Sequence, residues 1–136
     1  WGGVKSSMNA NAERWLSFAR EDLAAARAVQ REGLWNQACF HAQQCVEKCL
    51  KAMLAQSDLP PPKTHSILEL INRLAPEDLP AAREALTELD DYYIPTRYPD
   101  ALPGALPEGL PSREDAEHAV MLADQVLAEV ERRLAP

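Results

Sequence analysis

The chain has 136 residues, 46% of them hydrophobic, and a formal net charge of −7. That length suits one domain with a genuine core, and that apolar content excludes a disordered chain. Its apolar runs are too short to cross a bilayer, and its acidity argues against life by unspecific phosphate contacts; a nucleotide or RNA would have to meet a local positive patch.

The opening WGGVKSS, ahead of Met8, reads as a vector-derived remnant, so residues 1–8 are set aside and a single domain is assigned to 9–136. No charged-then-apolar leader with a cleavage site is present, which argues against secretion. The first helix is expected from about Asn11 to Arg31, closed by Gly33. Trp15, Phe18, Ala19, Ala26 and Val29 recur at three- and four-residue steps as its apolar face, widened by Ala12 and Leu23.

Trp35 to Gln56 carries the strongest periodic signal. Trp35, Cys39, Ala42, Val46, Cys49, Leu50 and Met53 form a stripe for burial, with Gln37, His41, Gln44, Lys48 and Lys51 on the opposite face. Cys39, Cys45 and Cys49 are odd in number and clustered on this one helix. They make a poor disulfide framework and point to a reducing, cytoplasmic setting.

DLPPPK (58–63) breaks the pattern, and Thr64 is the expected N-cap of a short helix with Ile67, Leu68, Leu70, Ile71 and Leu74. Pro76 ends it, and a further helix is expected over about Pro80 to Asp90. Next comes YYIPTRYPDALPG (92–104), which holds all three tyrosines and opens a proline-punctuated run that cannot be helical. Ser112 and Asp115 then resemble a capping box ahead of a last helix with Ala116, Ala119, Val120, Ala123, Val126, Leu127, Val130 and Leu134 as its core face. No stretch alternates as a strand. The expected fold is all-α, an antiparallel helical bundle of three long helices plus one or two short ones.

Several side chains invite a chemical reading. Asp22 falls inside the apolar face of the first helix, where a carboxylate needs a cation or several donors; it is either in a structural ion pair or orienting Arg97. Lys48 and Lys51 are either part of a solvated face, Glu47 and Lys51 being an ordinary i,i+4 pair, or a small cationic patch for phosphate. His41, Cys45 and Cys49 share one side of a helix but lack the remaining ligands of a closed zinc site, so no metal or other cofactor is expected. Arg97 can take phosphate bidentately while tyrosine rings stack on a base; alternatively the tyrosines pin the loop and Asp22 or Asp100 anchors the guanidinium.

Asp22-Leu23 in an alanine-rich first helix, CFHAQQCVEKCLKAML (39–54), Lys63-Thr64-His65-Ser66 and Thr96-Arg-Tyr-Pro-Asp100 together resemble the HEPN domain family over about Ala12 to Leu134. The resemblance implies a compact, usually homodimeric helical bundle from prokaryotes, paired with a minimal nucleotidyltransferase in a toxin–antitoxin-like arrangement. It further implies nucleotide binding through Lys48, Lys51, His65, Arg97, Tyr98 and Asp100, supported by Asp22, Gln44 and Glu47.

Nuclease branches of that family carry an arginine, four to six residues, then a histidine near the start of the last helix. Arg113-Glu-Asp-Ala-Glu-His118 fits the spacing, although Glu114 stands where those branches favour Asn, Asp or His. In that reading His118 would serve acid–base chemistry and Arg113 the charge developing on phosphorus, without a metal. A nucleotide-associated binding module, a metal-independent endoribonuclease and a non-catalytic dimeric scaffold are therefore the three functions to separate.

Overall fold

A computed structural model describes residues 8–75, 77–79, 83, 86, 88–92 and 110–135. The first helix, α1 (Ala10–Arg31), starts at Asn9, whose side chain accepts from the Ala12 N–H at 2.8 Å. The same residue donates its backbone N–H to Gln56 Oε1 and its side-chain amide to the Ala55 carbonyl. One cap thus both starts α1 and ties it to the far end of the next helix. At the other end Gly33 takes φ +76, its N–H returns to the Gln30 carbonyl, and the Leu34 N–H returns to Val29. This is a Schellman ending, and it needs a residue tolerant of the left-handed region.

The chain then reverses into α2 (Trp35–Gln56). Arg20 pairs with Glu131 and Arg27 with Asp124, both at 2.7 Å. As the first partner climbs seven residues the second descends seven, so the last helix, α4 (Arg113–Leu134), runs antiparallel to α1. Since α1 is antiparallel to both, α2 and α4 lie parallel, and the chain from 57 to 112 must return the length of the bundle. A 22-residue helix is about 33 Å long, so the end of α2 and the start of α4 lie at opposite ends of the bundle.

Within the crossing, α3 (Ile67–Asn72) and a 3₁₀ turn (Glu88–Tyr92) pack against α2. Asp90 of the turn accepts from the backbone N–H groups of Ile67 and Leu68 and from Ser66 Oγ, closing the head of α3. Arg83 donates to the carbonyls of Ile71, Ala75 and Asp78 and collects its tail. At α4 the capping box forms as expected: Ser112 Oγ accepts from the Asp115 N–H and the Asp115 carboxylate from the Ser112 N–H. Among the described residues there is no strand.

The core differs from expectation in four places. The buried stripe of α1 is Ala12, Leu16, Ala19, Leu23 and Ala26, a 4-3-4-3 rhythm in which Leu16 belongs and Phe18, 45% exposed, does not. Phe18 sits one residue, about 100°, from the stripe. Leu68 of α3 is likewise exposed. The cap of α3 is Ser66, which accepts from the Glu69 N–H, while Thr64 Oγ1 accepts from Ser66 itself. Finally, α2 has no solvated face along 42–55: every residue there is buried except the half-buried Gln44 and Lys48. With α1, α4 and the α3 region packed around it, α2 is the central helix.

The helix expected over Pro80 to Asp90 falls partly outside the described residues. Arg83 and Leu86 are helical, and the described C-terminal part is the 3₁₀ turn. The Tyr93 to Gly104 part of the proline-rich segment also lies outside them.

Candidate functional site

Because α2 is enclosed, its polar residues must find partners inside the protein. They do so as one connected seam. Gln43, fully buried, donates to the His65 backbone carbonyl at 2.7 Å, which fixes the KTHS segment on α2. Gln44 donates to Gln43 Oε1 and to Glu47 Oε1. Glu47 accepts from Lys51 Nζ through one oxygen and meets His65 Nδ1 through the other, both at 3.0 Å. Lys51 Nζ also lies 5.1 Å from the centre of the Trp15 ring, a cation–π contact that ties the seam to α1.

Glu47 and Lys51 side chains are 3% and 7% exposed, whereas His65 is 57% exposed. The seam therefore runs from a dry ion pair to an imidazole at the surface, and no buried side-chain polar atom among the described residues lacks a partner. Lys51 is thus not on a solvated face, and its pair with Glu47 is not an ordinary exposed one. Gln43 and Trp15 were not among the expected site residues. Gln43 did leave a trace in the sequence: it falls on the apolar stripe between Cys39 and Val46, where an amide is out of place unless it is bonded.

A second polar group bridges α1 and α2. The Asp22 carboxylate holds Lys48 Nζ on one oxygen and His41 Nδ1, at 3.2 Å, on the other. Burial is the largest influence on this carboxyl and pushes it up. The hydrogen bonds from His41 and Lys48 and the Lys48 charge together outweigh it, holding Asp22 below its ordinary value. Among the described residues, then, Asp22 meets its need for cations with Lys48 and His41 of α2, and the expected link to Arg97 falls on a residue outside them. Both lysines of the expected cationic patch already carry a carboxylate.

Arg97, Tyr98 and Asp100 lie outside the described residues. Arg113 and His118 are both exposed at the head of α4. Arg113 is paired with Glu117 at 3.2 Å, and five helical residues place the two side chains about 140° apart around α4. A single chain does not bring them together.

The cysteines are all free and buried. Burial and the nearby Asp115 charge push Cys39 up to about 12; a hydrogen bond with Cys45, and then burial, push Cys49 up as well. Thiols held in this state are small core hydrophobes, not nucleophiles. Among the described residues no group of three or more His, Cys, Asp or Glu side chains could hold a metal ion. No described helix is long and apolar enough to cross a membrane.

The family model for the HEPN domain matches residues 12–133, all three long helices and the segments between them. The chain belongs to the HEPN family. A Methanocaldococcus jannaschii protein named "Putative toxin MJ1304" is 26% identical to this HEPN chain over 127 residues, covering 85% of it and 83% of the relative. Two solved structures share the fold. TT1696 from Thermus thermophilus is 40% identical with a TM-score of 0.76, covering 91% of this chain and 98% of that one. ST0689, described as an archaeal HEPN homologue, is 30% identical with a TM-score of 0.73, covering 93% and 99%. Family membership assigns a HEPN-type function. The matched range contains the seam, the Asp22 group and the Arg113–His118 spacing alike.

Proposed function

We propose that this HEPN protein is the nucleotide-associated binding component of a toxin–antitoxin-like pair, working as a homodimer in the cytoplasm beside a minimal nucleotidyltransferase. The observation that carries this reading is the buried seam from Lys51 through Glu47 to His65. A dry ion pair contributes little to stability compared with an apolar pair of the same volume. Its value lies in holding an attached group still, and here that group is the surface imidazole of the KTHS motif, His65. An orientation fixed before binding lowers the entropy lost on binding.

The roles within the site are then distributed differently from a simple phosphate patch. Lys48 and Lys51, each neutralised by a carboxylate, act as positioning residues. Arg97 supplies the phosphate contact, Tyr98 the stacking surface and Asp100 the anchor for the guanidinium. Gln44, Glu47 and Asp22 support them. Calorimetry with ATP on the protein and on Arg97→Ala and His65→Ala tests this. Binding is expected for the parent, lost in the first variant and weakened about tenfold in the second. No binding by the parent would end the ligand claim. Co-purification with the neighbouring nucleotidyltransferase, and a dimer mass in light scattering, test the partner assignments.

Two observations favour a second reading, the metal-independent endoribonuclease: a relative carries a toxin name, and Arg113 and His118 are both solvent-facing at the head of α4. In that case a second copy would have to complete the pair, since one chain separates its members. Structured RNA incubated with the protein in EDTA decides it. Cleavage that vanishes in His118→Ala supports the nuclease; cleavage that persists removes this pair from the mechanism.

A further inference from the structure

At the end of the bundle where α1 turns back, the parallel helices α2 and α4 both begin, Trp35 being the first residue of one and Arg113 the first residue of the other. The positive ends of two helix dipoles therefore lie at this end of the bundle. A cation there gains nothing from either helix, and the first turn of α4 otherwise carries Glu114 and Asp115, as the dipole favours. Arg113 is an exception to that rule, and what holds it in place must be side chains. Two of them touch it, one from its own helix and one from the head of α2.

Glu117, one turn further along α4, accepts from Arg113 Nε at 3.2 Å. That bond uses the inner edge of the guanidinium. The two terminal nitrogens make no ion pair among the described residues. Trp35 approaches the group from α2, its ring centre 6.0 Å from the guanidinium carbon, at the outer limit of a cation–π contact. Trp35 is half-buried and packs against the core, so it is a fixed surface. Trp35, Arg113 and Glu117 together form part of the wall of a cleft of about 640 Å³. We infer that Trp35 and Glu117 are positioning residues for Arg113, restraining the guanidinium so that its terminal edge is left for the charge that develops on phosphorus.

For its chemistry this inference rests on the endoribonuclease reading. For its geometry it rests on one chain, since all three residues belong to the same copy even where a second copy supplies His118. A guanidinium takes a phosphate through two parallel N–H bonds, and with Nε bonded to Glu117 the terminal pair is the one left to form that fork. The Arg113 side chain is 68% exposed, so the two contacts restrain it without burying it. An exposed pair of this kind adds little to stability. Its effect is on turnover, because a contact that aligns a charged group counts in full only in the transition state. Stability is therefore the wrong readout, and the kinetic constants and the mobility of the guanidinium are the right ones.

The test pairs two measurements on the full chain: the NMR signal of the Arg113 Nε–H, assigned by its loss in Arg113→Lys, and cleavage of structured RNA in EDTA. In the parent the signal should be displaced by the Trp35 ring current and exchange slowly with water. Trp35→Leu should return it toward the position of a free arginine, and Glu117→Ala should speed its exchange. In cleavage, both variants should lower kcat about tenfold and leave KM within about twofold, the mark of a contact made in the transition state. Trp35→Phe keeps a ring and Glu117→Gln keeps an acceptor, so each should recover most of the loss. Glu117 is 52% exposed, so its variants decide the matter even where Trp35→Leu lowers stability. A parent that cleaves RNA while Glu117→Ala and Trp35→Leu keep its kcat overturns the positioning roles and spares the nuclease. A parent that cleaves nothing but shows the displaced, slowly exchanging signal overturns the nuclease reading and upholds the restraint. A parent signal at the free-arginine position, exchanging fast, overturns the restraint outright.

Discussion

Replacing Glu47 by Gln removes one charge from the driest ion pair among the described residues. The amide fits the same space and can still meet His65 or Gln44, but Lys51 is then left as a cation that is only 7% exposed. Removing one member of a buried pair typically costs about 3–5 kcal/mol, because the survivor keeps its desolvation penalty without its partner. The Trp15 ring compensates in part, since a desolvated cation–π contact contributes up to roughly 2 kcal/mol. With the full compensation the expected loss is about 1–3 kcal/mol. For a chain of this size that lowers Tm by roughly 3–12 °C.

Urea denaturation of the parent, Glu47→Gln, Lys51→Met and the double variant Glu47→Leu/Lys51→Met gives the cycle. Both single variants should be destabilised by similar amounts, and the double variant should recover most of the loss, since apolar replacement of a whole buried pair is near neutral. A cost below about 1 kcal/mol for both single variants is what an exposed pair would show, and it would refute the enclosed seam.

Asp22 is held below its ordinary value, so in the acid range the unfolded chain binds more protons than the native one and stability rises with pH. Its contribution is complete above the unfolded value near 3.8 and is lost as pH falls through the lower native value; Asp22→Asn should flatten that limb of a stability-against-pH curve below about pH 4. Leu16→Ala, at a fully buried position of α1, should cost about 2–4 kcal/mol in chemical denaturation, while Phe18→Ala, nearly half exposed, should cost under about 1.5. Gly33→Ala should cost about 1 kcal/mol through backbone strain at φ +76 and not through a clash, because the added methyl would meet only Trp35 Cζ2 at an ordinary 3.8 Å. Asp90→Ala removes the acceptor for two N–H groups at the head of α3 and should speed amide exchange at Ile67 and Leu68, with a loss of about 1 kcal/mol.

The helices were legible because their signals are local. Gly33 ends α1, Ser112 and Asp115 open α4, and the threefold-and-fourfold spacing of the alanines and valines on α4 marks one face. A buried face and a half-buried neighbour look alike in a window of residues, which is why Phe18 seemed a core residue and Leu16 did not stand out. The misreading of α2 has a different cause. Lys51, Glu47 and Gln44 have the composition of a solvated stripe, and only tertiary packing, with Trp15 of α1 over Lys51 and the His65 segment against Gln43 and Glu47, encloses it.

The primary structure alone settled that this is a helical bundle, where its long helices start and stop, and which family it resembles, because periodicity and capping act over a few residues. Whether a polar side chain faces water or the interior depends on what packs on it from elsewhere. Tertiary structure therefore assigned Asp22 to Lys48 and His41, buried Lys51 against Glu47, and gathered Arg31, Trp35 and Arg113 from two distant segments around one cleft.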